Sequence, residues 1–162
     1  MNKAYLLIGG NTGDRLKNME QAVEWIEKRA GMVKTLSSLY ETAAWGKTDQ
    51  PNFFNQALEI DTPLEAPELL TCLLQIELDM GRIREEKYGP RIIDIDILFF
   101  NAEIYHLPQL SIPHPEVQNR RFALLPMVEI APHFIHPVLQ QSMQELLDHC
   151  SDPLQARKLE TE

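Results

Sequence analysis

Apolar positions recur along this chain with two periods, one suited to strands and one to helices. Lys3 to Gly9 is a short apolar run closed by the turn signal Gly9-Gly10-Asn11, and it predicts a first strand. Asp14 is placed to cap a helix in which Leu16, Met19, Val23, Ile26 and Ala30 recur at helical spacing, with Gly31 as its stop. Met32 to Tyr40 predicts a second strand, Thr42 to Asn52 a long loop, and Phe53 to Asp61 a third strand. Pro67 suits the first turn of a second helix, whose Leu70, Leu73, Leu74 and Glu77-to-Met80 turn run to Gly81. Gly81 to Pro90 is a second long loop, rich in Arg, Glu and Lys, and a buried strand follows as far as Phe100.

Strand-helix-strand-strand-helix-strand is the split βαβ order. The expectation is an α+β fold, a ferredoxin-like βαββαβ core with an appended C-terminal hairpin and helical part. In that part, Pro-rich turns precede one helix through Phe122–Ala131 and another near Met143–Cys150, while polar Gln155 to Glu162 is expected to fray. With no repeat or linker along it, the chain is expected to form a single domain over residues 1–162.

Composition narrows the partners. The chain is 44% hydrophobic and 24% charged, ordinary for a globular protein. Its net charge of −9 argues against nucleic acid, because phosphate backbones are bound by surplus Lys and Arg. A small phosphate ligand stays open, since local Arg clusters and metal ions override the global sign. Cys72 and Cys150 fit no metal or redox spacing and read as reduced thiols. Met1 to Gly10 is too short for a signal peptide, and no stretch approaches the roughly 20 apolar residues of a membrane span. The expectation is a cytoplasmic monomer with no nucleic-acid or membrane partner.

The densest chemistry lies in Gly89-Pro90-Arg91-Ile92-Ile93-Asp94-Ile95-Asp96-Ile97. Alternate side chains of a strand point to opposite faces, so Asp94 and Asp96 share one face and Ile93, Ile95 and Ile97 the other. Two carboxylates about 7 Å apart in an apolar run repel each other and are costly to desolvate. One solution is a salt-bridged edge strand, with Arg91 neutralising a carboxylate. The other is a hard cation: oxygen ligands suit Mg²⁺, held by one or two carboxylates plus substrate phosphates. Arg82, Arg84, Lys87 and Arg91 just upstream favour the second, because Arg suits multidentate contact with phosphate oxygens.

Other candidates are weaker. Gly9-Gly10-Asn11-Thr12-Gly13-Asp14 matches neither the dinucleotide fingerprint nor the P-loop and reads first as a tight turn with a helix cap. His114 is stiffened between Pro113 and Pro115, and Asn119-Arg120-Arg121-Phe122 sets cations beside an aromatic. Phe53 and Asn55 share a strand face, one suited to stack on a flat heterocycle and the other to pair with its edge, although core Phe and surface Asn is the simpler reading.

Gly-Pro-Arg-x-x-Asp-x-Asp-Ile, here Gly89 to Ile97, resembles the signature of the 6-hydroxymethyl-7,8-dihydropterin pyrophosphokinase family of folate biosynthesis. Agreement extends over most of the chain. It includes Ile8-Gly9-Gly10-Asn11, Ser37 to Thr42, Asp49-Gln50-Pro51, Phe53-Phe54-Asn55, Ile76-Glu77-Leu78, Gly81 to Arg84, Pro113-His114 and Asn119-Arg120. The resemblance implies transfer of diphosphate from ATP to the pterin hydroxymethyl oxygen, with AMP released. It implies that Asp94 and Asp96 hold two Mg²⁺ ions, that Arg82 and Arg91 assist catalysis, and that the loops Ala43–Asn52 and Arg82–Arg91 close over the substrates. The pterin would lie between Phe53 and Phe122, read by Asn55 and by backbone near Thr42 and Ala44. Arg84, Ile97, Ser111, His114 and Arg120 would serve ATP. Gly10, Ala44, Tyr88, Gln109 and Pro115 depart from the residues common in the family, which bears on ATP affinity and loop closure. Two other classes are weighed against it: a ferredoxin-like ligand-binding or regulatory module, and another Mg²⁺-dependent phosphohydrolase.

Overall fold

A computed structural model describes residues 1–43, 49–82 and 90–159. In chain order the elements are β1 (Asn2–Gly10), α1 (Arg15–Arg29), β2 (Met32–Leu36), β3 (Tyr40–Thr42), β4 (Phe53–Thr62), α2 (Ala66–Asp79), β5 (Asp94–Phe100), the hairpin β6 (Tyr105–Leu107) and β7 (Leu110–Ile112), α3 (Arg121–Ile130), α4 (Met143–Asp148) and β8 (Ala156–Lys158). The first seven contain the expected ferredoxin-like α+β order. Their sheet runs β5-β1-β4-β3-β8, with β2 also on β4, and every pairing is antiparallel.

Local chemistry sets the helix ends. Asp14 accepts a hydrogen bond from the Lys17 backbone at 3.1 Å and starts α1. Pro67 lies in the first turn of α2, and the Glu65 backbone donates to Glu68 Oε1 at 3.1 Å. At the far end Gly81 adopts φ +96°, a left-handed conformation cheap only for glycine, and the Arg82 backbone donates back to the Glu77 carbonyl at 3.0 Å. The chain thus turns Arg82 onto the last turns of α2.

The sheet is buried on both faces. Leu6, Ile8, Leu58 and Ile60 pack with Ile26 of α1 and Leu73 and Ile76 of α2. Tyr5, Leu7, Ala57, Leu98 and Phe99 pack with Leu124 and Met127 of α3 and Met143 and Leu146 of α4. The appended part therefore makes a second helical layer, and two-sided burial explains why β1 reads as one unbroken apolar run. A bulge in β5 opposite Tyr5 and Leu6 turns Leu98 and Phe99 toward the α3–α4 side and Phe100 toward the other.

Two expectations change. The strand predicted over Met32–Tyr40 is broken into β2 and β3 at Ser37–Leu39. Ser37 holds the break by donating its N–H to the Ala57 carbonyl at 2.9 Å while its hydroxyl accepts from the Ala57 N–H at 2.9 Å. Within the tail expected to fray, Ala156–Lys158 instead forms β8, pairing β3 from Thr42↔Ala156 to Tyr40↔Lys158, while residues 160–162 lie outside the described residues. Arg157 bonds Glu41 at 2.9 Å, and the Leu159 N–H reaches the Leu39 carbonyl at 2.8 Å. A free edge at β3 gives the polar segment the backbone partners its composition does not advertise.

Candidate active site

Sheet register assembles the site. Asp94 lies opposite Gly9 and Gly9 opposite Asn55, while Asp96 lies opposite Leu7. Residues directly opposite each other in antiparallel strands share a face, so both carboxylates and Asn55 stand on the α3–α4 side. There a narrow slot of about 90 Å³ is lined by Leu7, Gly9, Thr42, Phe53, Asn55, Arg91, Arg120 and Phe122 together with Asp94 and Asp96. A wider cleft of about 780 Å³ lies against α2 and β7, lined by Leu70, Leu74, Glu77, Ile97, Ser111 and His114, again with Asp94 and Asp96. The two carboxylates are common to both cavities.

The arginine loop reaches this junction from two sides. Arg82 Nη1 donates to Asp94 Oδ1 at 2.6 Å and to Glu77 Oε1 at 3.0 Å. Arg91 Nη1 donates to Asp94 Oδ2 at 3.3 Å, with its guanidinium 5.4 Å from the Phe53 ring centroid. Asp94 is therefore salt-bridged, as the simpler reading expected, but by two guanidiniums. Asp96 differs: among the described residues its carboxylate has no hydrogen bond or ion pair. Burial, and then the nearby charges of Asp94 and Glu77, raise its pKa above the ordinary carboxylate range. Such a group calls for a cation.

Glu77 was not singled out from the sequence. It is 2% exposed, and its second oxygen accepts from the Ile95 N–H at 2.7 Å. One carboxylate thus ties α2 to β5 and fixes Arg82 beside Asp94. The available signal was a Glu at the i+4 position from Leu73, on the buried stripe of an otherwise apolar helix face.

Most predicted positions converge. Thr42, Phe53, Asn55 and Phe122 line the slot, and Ile97, Ser111 and His114 line the cleft. Arg120, expected on the ATP side, lines the slot with its guanidinium 5.7 Å from the Phe122 ring centroid. The Thr42 hydroxyl is engaged outside the slot, donating to the Gln155 carbonyl at 3.1 Å, so its backbone is the part left for a ligand. The carboxamide of Asn55, 5% exposed, has no hydrogen-bond partner among the described residues. His114 Nδ1 accepts from the Glu116 N–H at 3.1 Å, which leaves the ring proton on Nε2. Burial, helped by the charge of Arg120, pushes the imidazole down to about 4. Ala44 and Arg84 lie outside the described residues, as do Lys87 and Tyr88 of the arginine loop.

The donor set fits Mg²⁺: two carboxylates on one strand face, one without an ion pair among the described residues, with room for phosphate oxygens beside them. Among the described residues no group of three or more His, Cys, Asp or Glu comes together as a set of metal ligands. Gly9 and Gly10 serve packing rather than a nucleotide loop. A Cβ on Gly9 would strike Asn55 Oδ1, and one on Gly10 the Ile92 carbonyl.

A paired-carboxylate donor set beside arginines is the kind used to hold a metal and a phosphate-bearing substrate. The family model for 7,8-dihydro-6-hydroxymethylpterin-pyrophosphokinase (HPPK) matches residues 5–132. A 2-amino-4-hydroxy-6-hydroxymethyldihydropteridine pyrophosphokinase from Aquifex aeolicus is 39% identical over 145 residues, covering 90% of this chain and 90% of that protein. The enzyme of the same name from Bacillus subtilis is 45% identical over 130 residues, covering 80% and 78%. Folic acid synthesis protein FOL1 of Dictyostelium discoideum is 41% identical over 138 residues, covering 85% of this chain but only 21% of that protein. In structure, Plasmodium falciparum HPPK-DHPS superposes with a TM-score of 0.75 at 21% identity, over 91% of this chain and 43% of that one, which shows the shared fold. The chain belongs to the 7,8-dihydro-6-hydroxymethylpterin-pyrophosphokinase family, ATP-dependent diphosphokinases of folate synthesis that use Mg²⁺. Among the described residues no helix is long and apolar enough to cross a membrane.

Proposed function

We propose that residues 1–162 form one diphosphokinase domain in which ATP occupies the cleft, the pterin occupies the slot, and Asp94 and Asp96 hold two Mg²⁺ ions where the cavities meet. The observation that carries this reading is that the same two carboxylates line both cavities. Bound there, the ions would neutralise the phosphates and lower the pKa of the acceptor hydroxyl. The protein's part is positional. Phe53 and Phe122 sandwich a flat ring, and Asn55, with a carboxamide free to donate and accept, reads its amide-like edge. Ile97, Ser111 and His114, with its ring proton on Nε2, line the nucleotide side. The pterin hydroxymethyl oxygen forms a bond to the β-phosphorus, the bond from that phosphorus to the AMP oxygen breaks with its electron pair leaving on AMP, and the hydroxyl proton passes to solvent. Arg82 and Arg91 exchange Asp94 for phosphate oxygens and stabilise charge as it moves toward the leaving group. Arg120, beside Phe122, faces the same reacting atoms from the slot.

Free Cys72 and Cys150 agree with a reducing, cytoplasmic setting. The chain is proposed to act as a monomer, which sedimentation would check. The deciding experiment is product analysis with MgATP and the hydroxymethyl dihydropterin. AMP and the pterin diphosphate are expected in equal amounts, with no ATP consumption when the pterin is withheld. Formation of ADP, or pterin-independent ATP consumption, would replace this reading with the phosphohydrolase one.

A further inference from the structure

Asn11 is a polar residue 2% exposed, at the end of β1 and between the two segments that flank the slot. Its carboxamide oxygen accepts from the Arg91 N–H at 3.0 Å, and its own N–H donates to the Arg91 carbonyl at 3.0 Å. The Thr12 N–H adds a second bond to that carbonyl at 3.2 Å. On the other side, Asn11 Nδ2 donates to Gln50 Oε1 at 2.8 Å and to the Pro51 carbonyl at 3.0 Å. Gly10 permits the approach, since a Cβ there would strike the Ile92 carbonyl.

The two segments joined in this way carry different parts of the site. Arg91, gripped at both backbone groups, sends its guanidinium to Asp94 and over Phe53. Pro51 lies two residues before Phe53, which lines the slot. Only a carboxamide can do this from one position, because it offers an acceptor to one segment and two donors to the other. Resting on the site reading above, we infer that Asn11 is a positioning residue that sets the aim of Arg91 and the Phe53 wall together, so that seating the acceptor and aligning the guanidinium are coupled.

A double-mutant cycle on kcat tests it. Asn11→Ala is expected to lower kcat about 10- to 100-fold, the cost of misplacing a catalytic group by roughly 1 Å, and to raise the pterin KM. The Kd of a non-hydrolysable MgATP analogue should stay within about twofold, because Asn11 lies away from the cleft lining. In an Arg91→Ala background the same substitution should change kcat less than about threefold, since there is no guanidinium left to aim. Asn11→Asp keeps the acceptor for Arg91 and loses the donors to Gln50 and Pro51. It should retain more kcat than Asn11→Ala while matching its rise in pterin KM, and it serves as the probe if the alanine variant does not fold by circular dichroism. Multiplicative losses in the cycle, an equal loss of MgATP-analogue affinity, or a normal kcat in both Asn11 variants would overturn the coupling. A normal kcat in Arg91→Ala alone would instead overturn the assignment of Arg91.

Discussion

Asn55 lies across Gly9. The two are register partners in β4 and β1, and the Asn55 carboxamide occupies the space where any larger residue at position 9 would place its Cβ. The glycine is there for a side chain of this same protein rather than for a ligand. Gly9→Ala should therefore behave as a lesion of Asn55. The displaced carboxamide would lose one or two hydrogen bonds to the acceptor, worth about 1–3 kcal/mol, or roughly a 10- to 100-fold rise in pterin KM. Overpacking costs a further ~1–3 kcal/mol of stability. Steady-state kinetics with pterin varied checks it, and an unchanged KM would show that Asn55 is not where the acceptor is read.

Asp96 pays for function in stability. Burial and the charges of Asp94 and Glu77 raise its pKa, so ionising it opposes folding in the absence of metal. Asp96→Asn should raise the melting temperature in the presence of a chelator, by an amount corresponding to about 1 kcal/mol or more, while abolishing diphosphate transfer. A variant that is both less stable and still active would refute the assignment.

Glu77 joins α2 to β5 through Arg82 and the Ile95 N–H. Removing its carboxylate leaves the buried Ile95 N–H without an acceptor and takes from Arg82 one of its two carboxylate partners, Asp94 remaining the other, at a cost of about 1–3 kcal/mol. Glu77→Ala should lose about that much in urea unfolding and should lower kcat as well, because Arg82, left with Asp94 alone, loses the anchor that fixes its direction. Glu77→Gln keeps an acceptor for Ile95 and should lose less stability, with kcat reduced to a similar extent. Equal stability of the two variants would argue against the bond to Ile95.

Acid sensitivity follows from His114, whose imidazole is pushed from 6.5 down to about 4 chiefly by burial. Above pH 6.5 the folded and unfolded chains both hold it neutral and it has no effect on stability. As the pH falls from 6.5 toward 4, the unfolded chain takes up a proton that the folded chain refuses, so stability is lost by up to about 3 kcal/mol. His114→Asn can still accept from the Glu116 N–H and cannot titrate. Its urea midpoint should fall less between pH 7 and 5 than that of the parent, whereas parallel declines would place the acid sensitivity elsewhere.

Much of this was legible in the sequence. Asp14, Pro67 and Gly81 announced the ends of α1 and α2, because caps and stops act on their immediate neighbours. The alternation Asp94-Ile95-Asp96-Ile97 gave the facing of β5, because pleat depends on nothing distant. What depended on remote partners stayed hidden. Met32 to Tyr40 looked like one strand, since the break at Ser37 is made by Ala57. Gln155 to Lys158 looked loose, since its partners are in β3. The apolar stripe of Phe122–Ala131 showed that a helix would bury one face, without showing that this face would cover the second side of the sheet. Asn11 and Glu77 each read as ordinary until Arg91 and Arg82 were brought beside them.

One of those hidden features bears on how the protein comes into being. The bonds that fasten β8 to the slot wall, Thr42 to Gln155 and Glu41 to Arg157, span 113 and 116 positions. Synthesis runs from the N-terminus and contacts distant in sequence form late. A chain still emerging from the ribosome therefore carries its paired aspartates, its arginines and most of its sheet before the strand that steadies Thr42 exists. On the proposed assignment, a chain from which β8 has not yet emerged could grip a nucleotide but would hold the acceptor poorly, and the competence to hand over a diphosphate would arrive only when residues 155–158 pair with β3.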